Sequence, residues 1–377
     1  MSHSIERQIW HPVLTSTELR EEPVAVELLG EPLVLWREAG HEAGHGMAAM
    51  APVVHAWQDR CPHRGARLSL GRVLRHLRGA RLECPYHGWQ FAGTTASLPV
   101  SAANGNGAGQ LRPVAVGQCA LVPSVPAFEA PDSHCTTVHD AVERGGLIWV
   151  RLQRPETSLP VALTDVPEQA EWADVTWRHL VCGQYEVQTS AARLMENFLD
   201  LSHFGFVHEG YLGSRNHAQV DTGSVAESDD GVEATQCKAW QPQGYAGEVH
   251  GAAVQGRWVD YAYEVKHPFV ATLRKMASGD DDQVSNVITI AVRPDGDEAC
   301  TAWFSMATHG DVSSDLELRE FQDTIFLQDL PIIESQQPKA LPIGKDGSIK
   351  EVHGPSDRMS SAYRRYLARV GVSVGVC

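Results

Sequence analysis

Several common features are missing from this 377-residue sequence, and each absence argues against a class of protein. No run of 18 or more apolar residues occurs, so a membrane-spanning helix is not expected. The 31 lysines and arginines are outnumbered by 47 aspartates and glutamates and form no basic block, which argues against nucleic-acid binding. The N-terminus has no signal-peptide pattern, so a cytoplasmic protein is expected.

The eight cysteines lack the short, regular spacing of a disulfide framework. No GxGxxG motif for binding a dinucleotide is present, so any reductase that this chain needs should be a separate protein. The length and the 43% hydrophobic content allow a large core and favour two domains over one.

The stretch HEAGH at 41–45 fits the HExxH zinc motif, which needs a helix to bring both histidines to one face. The glycines at 40, 44 and 46 would destabilise such a helix by about 3 kcal/mol relative to alanine. The stretch also falls between two predicted strands. We therefore predict a solvated hairpin turn here and keep a zinc site only as an alternative.

The order of sequence patterns predicts an α+β protein with two parts. Strands are expected at 24–36 (with a turn at 30–32), 53–57 and 146–152, and a long surface loop at 93–117. A proline-rich change of composition at 154–167 places the boundary between domains 1–155 and 156–377. In the second domain we expect an antiparallel sheet with strands at 257–265, 284–293 and 299–308, and helices at 190–203, 313–337 and 356–370.

Two segments, RCPHRGARLSLG and ECPYHGWQF, each carry one cysteine and one histidine: Cys61 and His63, then Cys84 and His87. Such ligands can hold zinc or an iron-sulfur cluster. A zinc finger usually takes its cysteines from one loop and its histidines from the other. One of each per loop instead suits a Rieske [2Fe-2S] cluster, in which two thiolates bind one iron and two imidazoles bind the other.

A second group of candidate ligands lies in MENFLDLSHFGFVHEG. On a helix, Asn197, Asp200 and His203 would form a polar line at i, i+3 and i+6. A solvated helix face is the simplest explanation of that line. His208, five residues beyond His203, instead favours a 2-His-1-carboxylate site for non-haem iron.

The carboxylate of that site is expected on the long helix at 313–337, where Asp323, Asp329 and Glu334 are candidates. We choose Asp329, because a carboxylate in an apolar stripe is costly to bury unless it is paired or binds a metal. Its neighbours at i−4, i−3, i+3 and i+4 are Ile325, Phe326, Ile332 and Ile333. Pro331 is expected to kink this helix.

These segments resemble the Rieske non-haem iron oxygenases over most of the chain. CPHRGARLSLG and CPYHGWQF are similar to their cluster-binding loops, and ENFLDLSHFGFVHEG is similar to their ENxxDxxHxxxxH signature. QDLPIIESQQP resembles the vanillate O-demethylase and caffeine N-demethylase subgroup. A respiratory Rieske protein is disfavoured, because Ala66 and Tyr86 stand where its extra cysteines would be.

The resemblance implies an all-β Rieske domain followed by a catalytic domain of helix-grip type. It implies a [2Fe-2S] cluster on Cys61, His63, Cys84 and His87, and ferrous iron on His203, His208 and Asp329. Asp200 and Asn197 are the implied catalytic residues, with Asp200 linking the iron site to His87 of a neighbouring subunit. Such a link implies a head-to-tail ring, usually a homotrimer.

The implied function is that of the terminal oxygenase of a multicomponent monooxygenase. Electrons would come from NAD(P)H through a separate reductase, directly or via a ferredoxin, and O2 would hydroxylate a small aromatic or heterocyclic substrate. O-demethylation, N-demethylation or methyl hydroxylation is expected. The alternatives are an aromatic-ring cis-dihydroxylating dioxygenase and an electron carrier without catalysis. The long gap between the cluster loops and an apparent insertion at 93–117 depart from the family pattern.

Overall fold

The computed structural model describes residues 4–40, 52–76, 79–99, 111–242, 255–276, 284–344 and 351–377. The chain divides into two compact units, Val13–Arg154 and Met1–Pro12 with Pro155–Cys377. The first twelve residues join the second unit because the buried Glu6 carboxylate accepts hydrogen bonds from the backbone N–H groups of Ser373 and Val374. HEAGH lies outside the described residues, so its predicted turn stays a prediction.

The described residues of the unit Val13–Arg154 form three sheets, whose neighbouring strands run antiparallel where their register is defined. The strand orders are β1-β12-β11-β4-β3-β2, β10-β7-β6-β5 and β8-β9. The strands are β1 (His11–Thr15), β2 (Val24–Leu28), β3 (Glu31–Glu38), β4 (Val53–Gln58), β5 (Arg72–Leu74), β6 (Arg81–Glu83), β7 (Gln90–Ala92), β8 (Ala96–Pro99), β9 (Leu111–Val114), β10 (Cys119–Leu121), β11 (Val138–Arg144) and β12 (Leu147–Arg151).

The predicted strands of this unit are present, but two local predictions were wrong. The first turn lies at Leu29 and Gly30, one residue earlier than expected, because both adopt positive φ (51° and 75°) and form a two-residue hairpin loop. The segment 93–117 is not a loop throughout, since β8 pairs with β9. Its Gly- and Ala-rich composition is concentrated at 100–110, outside the described residues, and concealed the two short strands beside it.

The second unit contains an eight-stranded antiparallel sheet in the order β13-β20-β19-β18-β17-β16-β14, with β15 also paired to β16. No helix in the described part of the chain is long and apolar enough to cross a membrane. The strands are β13 (Arg178–Val187), β14 (Val220–Asp221), β15 (Ser224–Ser228), β16 (Gly231–Pro242), β17 (Gly256–His267), β18 (Val270–Met276), β19 (Val284–Pro294) and β20 (Cys300–Thr308). The helices are α1 (Ile5–Gln8), α2 (Val161–Thr164), α3 (Ala170–Ala173), α4 (Ala191–Phe198), α5 (Phe204–Val207), α6 (Asp315–Ser335) and α7 (Arg358–Val370).

Helix α6 crosses the sheet and begins with a capping box formed by Ser314 and Glu317. It contains Pro331 yet is assigned as one continuous helix from Asp315 to Ser335. Phe326 packs on Tyr185 of β13, with the ring centroids 4.3 Å apart. This contact orients the helix so that the face carrying Asp329 points toward the sheet.

The predicted helix at 190–203 was too long, because α4 ends at Phe198. After it, Asp200 Oδ1 accepts the backbone N–H of Ser202 at 2.8 Å, an interaction that competes with helical hydrogen bonding. The chain then turns into the short helix α5. The polar line at i, i+3 and i+6 therefore does not exist as a helix face, and His203 and His208 flank α5 at its two ends.

Candidate functional site

The two candidate cluster loops share the sequence pattern CPxxG and the same backbone hydrogen bond. In the first, the N–H of Gly65 donates to Cys61 O at 2.9 Å; in the second, that of Gly88 donates to Cys84 O at 3.1 Å. Both glycines have positive φ, +73° and +71°, a conformation that side chains disfavour. The same sequence spacing thus folds each loop in the same way and turns its cysteine inward.

The cysteines and histidines of these loops occupy different environments. Cys61 and Cys84 are buried in the core beside Trp57, whereas His63 and His87 are exposed, with ring centroids 4.6 Å apart. His63 stacks on Trp89 at 4.4 Å, which holds its ring in place. The donor set therefore has its sulfur side inside the protein and its nitrogen side at the surface of the unit.

The chemistry of these donors fits a bound metal. Burial raises the pKa of the Cys61 thiol to about 11, so at neutral pH the thiol keeps its proton unless a cation replaces it. Displacement of water from the His63 ring by neighbouring atoms, followed by the effect of His87, lowers the pKa of His63 and favours the neutral imidazole that binds metals. Two thiolates and two imidazoles are the ligands that a Rieske cluster requires.

The second candidate metal centre brings together His203, His208 and Asp329, whose donor atoms all lie within 4.8 Å of one another. Asp329 Oδ1 lies 3.4 Å from His203 Nε2 and 3.3 Å from His208 Nε2, and the two Nε2 atoms are 3.2 Å apart. Asp329 and His208 are buried, and only 14% of the His203 side chain is exposed. Helix α5 and helix α6 position the three groups from opposite sides.

Hydrogen bonds at the far side of each ring determine which nitrogen faces this centre. Nδ1 of His203 lies 3.1 Å from Asp200 Oδ2, and Nδ1 of His208 lies 2.9 Å from Gln328 Oε1. Because carboxylate and amide oxygens only accept, both Nδ1 atoms carry protons. The Nε2 lone pairs then point at each other and at a carboxylate, an arrangement that a divalent cation would stabilise. The three residues therefore fit a non-haem iron.

The other two carboxylates considered on α6 are engaged elsewhere. Asp323 accepts a hydrogen bond from the Tyr185 hydroxyl, and Glu334 accepts the backbone N–H of Gln188 at 2.8 Å. Asp329 sits among the buried residues Ile325, Phe326 and Ile333, as its neighbours in sequence suggested, whereas Ile332 is 48% exposed.

The two residues expected to have catalytic roles both touch this centre. Asn197 Nδ2 donates to Asp329 Oδ1 at 3.4 Å, and Asp200 contacts His203 as described. Burial opposes ionisation of Asp200, but the hydrogen bond from His203, the electrostatic attraction between the two groups and the N–H of Ser202 outweigh burial and lower the pKa of Asp200. Asp200 and His203 also line a polar pocket of about 460 Å³ on this side of the unit.

On the other side of the centre, two cavities lie between the sheet and α6. The smaller, of about 80 Å³, is lined by His203, His208 and Asp329 together with apolar side chains. The larger, of about 260 Å³, shares with it six residues: Phe204, Leu212, Leu273, Ile288, Gln322 and Ile325. Because they share these lining residues, the two cavities are adjacent. The candidate metal centre lies at the apolar end of the combined space.

Tyr261 lines the larger cavity, whereas Trp258 and Trp303 line neither. Trp303 is buried and donates to Gln184 Oε1 at 3.2 Å, and Trp258 is 44% exposed. The sequence did not single out Gln328 or Gln322. Gln328 precedes Asp329 directly, and a search for a polar partner of each candidate histidine would have reached it.

Comparison with known proteins gives the family of each part. Residues 9–114 match the Rieske [2Fe-2S] domain, and residues 187–372 match the vanillate O-demethylase oxygenase C-terminal domain. Methylxanthine N1-demethylase NdmA of Pseudomonas putida is 31% identical over 369 residues, which cover 96% of this chain and 88% of that protein.

Solved structures agree with this assignment. The structure of the NdmA QL mutant of Pseudomonas putida CBB5 with caffeine aligns with a TM-score of 0.70 and 28% identity, covering 97% of this chain and 90% of the other. Dicamba monooxygenase bound to 3,6-dichlorosalicylic acid aligns with a TM-score of 0.71 over 98% of both chains. At 21% identity it supports the fold alone.

Proposed function

Because this chain belongs to the Rieske non-haem iron oxygenases of the methylxanthine N-demethylase group, we propose that it oxidatively removes a methyl group from the nitrogen or oxygen of a small aromatic or heterocyclic compound. It is the terminal oxygenase of a multicomponent monooxygenase. One atom of O2 enters a methyl C–H bond, and the hydroxymethyl product then releases formaldehyde. The observation that carries the proposal is the convergence of His203, His208 and Asp329 at the end of an apolar cavity.

In this proposal His203, His208 and Asp329 hold ferrous iron, which supplies the activation of O2. Asp200 keeps the proton on Nδ1 of His203, and Gln328 does the same for His208, so both Nε2 atoms are available as ligands. Asn197 restrains the Asp329 carboxylate through its amide. These three polar residues position the ligands.

The N-terminal unit provides the second cofactor site. Cys61, His63, Cys84 and His87 are the proposed ligands of the [2Fe-2S] cluster, which supplies one-electron transfer. The exposure of His63 and His87 supports electron exchange at the histidine edge. A separate reductase delivers the electrons, because the sequence carries no dinucleotide-binding motif of its own. Electron supply from NAD(P)H supports a cytoplasmic location.

The cavities suit a substrate of one or two rings. An apolar cavity of about 150 Å³ is enough to hold benzene, and the larger cavity here is about 260 Å³. Leu194, Phe198 and Phe304 line the cavity next to the candidate ligands, where they would exclude water and orient a methyl group. NdmA, solved with caffeine, supports an N-methylated heterocycle as one candidate.

We also propose a homotrimer in which Asp200 would link the mononuclear site of one subunit to the cluster ligand His87 of a neighbouring subunit. The polar pocket of about 460 Å³ beside Asp200 and His203 supports a docking place for another protein surface. Sedimentation or light scattering of the purified enzyme tests the oligomer directly; a monomer that turns over would contradict the intersubunit route.

The proposed reaction is tested by turnover with a reductase, NADH, O2 and a panel of N-methyl and O-methyl compounds. Formaldehyde and the demethylated product should appear in equal amounts. A product that carries two oxygen atoms from O2 and forms without formaldehyde would identify a dioxygenase instead. The Asp329→Ala variant, which removes a proposed ligand, should give no product, whereas Asp323→Asn should retain activity.

A further inference from the structure

The larger cavity has a polar end, and the register of the sheet defines it. Tyr261 on β17 lies opposite Lys275 on β18, which lies opposite Asn286 on β19. Directly opposed residues of an antiparallel pair point to the same face of the sheet. All three line the cavity. We call them the polar row.

The neighbouring row on the same face is apolar. Leu273 lies opposite Ile288, and Ile288 lies opposite Met306. Leu273 and Ile288 line both cavities and so extend toward the candidate iron ligands. Residues two apart along a strand are separated by about 7 Å. A molecule lying along this face would therefore meet apolar side chains near the metal centre and the polar row at its other end.

Lys275 brings a positive charge to that end of the cavity without a close partner among the described residues. No ion pair or hydrogen bond joins its ammonium group to any of them, although the residue is half-buried. Burial lowers the pKa of Lys275 to about 8, with a smaller effect of Arg257 in the same direction and an opposing effect of Asp311. The ammonium form still predominates at neutral pH, and a partly desolvated cation favours an anion beside it.

Neighbouring amides could complete the recognition of such an anion. The side chain of Gln241 lines the larger cavity but not the smaller one, and it makes no hydrogen bond with the rest of the described chain. Among the described residues, Asn286 directs its amide only to Ser285 Oγ, at 3.5 Å. Amide N–H groups and an ammonium group are all donors, so this end of the cavity suits an acceptor oxygen.

We propose that Lys275 is a specificity-determining residue that binds an anionic oxygen, such as a carboxylate, on the substrate at the end remote from the methyl group. The inference rests on the proposed demethylase function and narrows its substrate class to methyl-bearing aromatic or heterocyclic anions. The polar row and the apolar row are separated by about 7 Å, a distance that one aromatic ring can span only together with substituents on opposite ring carbons. Asp311 and Glu317, which also line the cavity, would disfavour a second negative charge nearby.

Binding of matched compounds to the purified holoenzyme tests this inference. The probes are the 2-, 3- and 4-methoxybenzoates, each compared with the methoxybenzamide of the same substitution, so that charge changes while shape is nearly kept. Isothermal titration calorimetry is carried out under argon without reductase. The variants are Lys275→Met, which removes the charge, and Lys275→Arg, which keeps it.

Lys266→Met is the matched control, since Lys266 is an exposed lysine on β17 that pairs with Glu264 and lines neither cavity. We expect at least one benzoate to bind the wild type and Lys266→Met about 10- to 100-fold more tightly than its amide, as a hydrogen-bonded charge would give. Lys275→Met should bind the benzoate and its amide about equally tightly. Lys275→Arg should retain most of the preference for the benzoate. If no benzoate binds more tightly than its amide, or if Lys275→Met leaves the ratio unchanged, the inference is overturned.

Turnover of the same compounds separates this inference from the proposed function. If benzoates bind in a manner that depends on Lys275 but release no formaldehyde with a working reductase, the result supports the anion site and contradicts demethylation of these compounds. If only the neutral methyl compounds release formaldehyde, the result supports the demethylase function and overturns the role of Lys275.

Discussion

Gln328 Oε1 accepts a hydrogen bond from Nδ1 of His208 at 2.9 Å, while the opposite nitrogen of the same ring faces Asp329 at 3.3 Å. Helix α6 therefore supplies both the carboxylate of the candidate metal centre and the group that orients one of its histidines. The two adjacent residues, Gln328 and Asp329, connect the candidate centre to a single helix. We therefore propose a positioning role for Gln328 that its exposed neighbour Leu327 does not share.

Replacement of Gln328 tests that role. Gln328→Leu removes the acceptor for His208 Nδ1, and we expect ferrous iron to bind about 10- to 100-fold more weakly, as for other outer partners of metal ligands. Gln328→Glu keeps an acceptor and should stay near the wild-type affinity. Equilibrium dialysis of ferrous iron into protein stripped of its mononuclear metal gives the affinity. Equal affinities for the leucine and glutamate variants would show that the hydrogen bond does not matter.

The identity of the third ligand is tested by metal analysis. Asp329→Ala should lower the iron content from about three to about two per chain, because only the cluster remains. The visible spectrum of the cluster should not change. Asp323→Asn, which alters another carboxylate candidate on the same helix, should keep three irons. Iron retained in Asp329→Ala would mean that another residue completes the site.

Asp200→Asn should slow the reaction even when enough ferrous iron is supplied to fill the mononuclear site, and it should leave the cluster in place. An amide can present its N–H to His203 Nδ1 and favour the wrong tautomer, as in a hydrolase triad, and it removes the negative charge beside that ring. We expect product formation to fall at least about 100-fold. Stopped-flow oxidation of the reduced cluster, mixed with substrate and O2, should slow in parallel. Oxidation at the wild-type rate would contradict a role for Asp200 between the two sites.

The cluster ligands are tested by comparing two buried cysteines of the same core. Cys84→Ala should lose the visible cluster spectrum and retain about one iron per chain. Cys119→Ala removes a cysteine that is equally buried and lies outside the CPxxG loops, and it should keep the cluster at some cost in stability. Loss of the cluster in both variants would indicate that damage to the hydrophobic core, and not removal of a ligand, explains the result for Cys84→Ala.

The sequence predicted most of the elements that carry the site. The Cys-Pro-x-x-Gly spacing of the cluster loops and the strands around them depend on local chemistry, which a pattern of residues records directly. The apolar neighbours of Asp329 likewise indicated a buried carboxylate. Whether these residues act as ligands is for the variants above to decide.

Other features depend on competition or on pairing between distant residues. Helix α4 ends at Phe198 because the Asp200 side chain offers Ser202 N–H a local partner, which helical periodicity does not register. The contact of Gln328 with His208 joins residues 120 positions apart. The polar row around Lys275 exists only through strand register, since three strands each contribute one residue.

We propose that this chain demethylates its substrate by monooxygenation at His203, His208 and Asp329. The most direct measurement is the ratio of formaldehyde released to O2 consumed by the reconstituted wild-type enzyme, with Asp329→Ala run beside it. We predict one formaldehyde per O2 for the wild type under fully coupled conditions and none for the variant. O2 consumption that yields an oxidised product without formaldehyde, or undiminished formaldehyde from Asp329→Ala, would contradict the account.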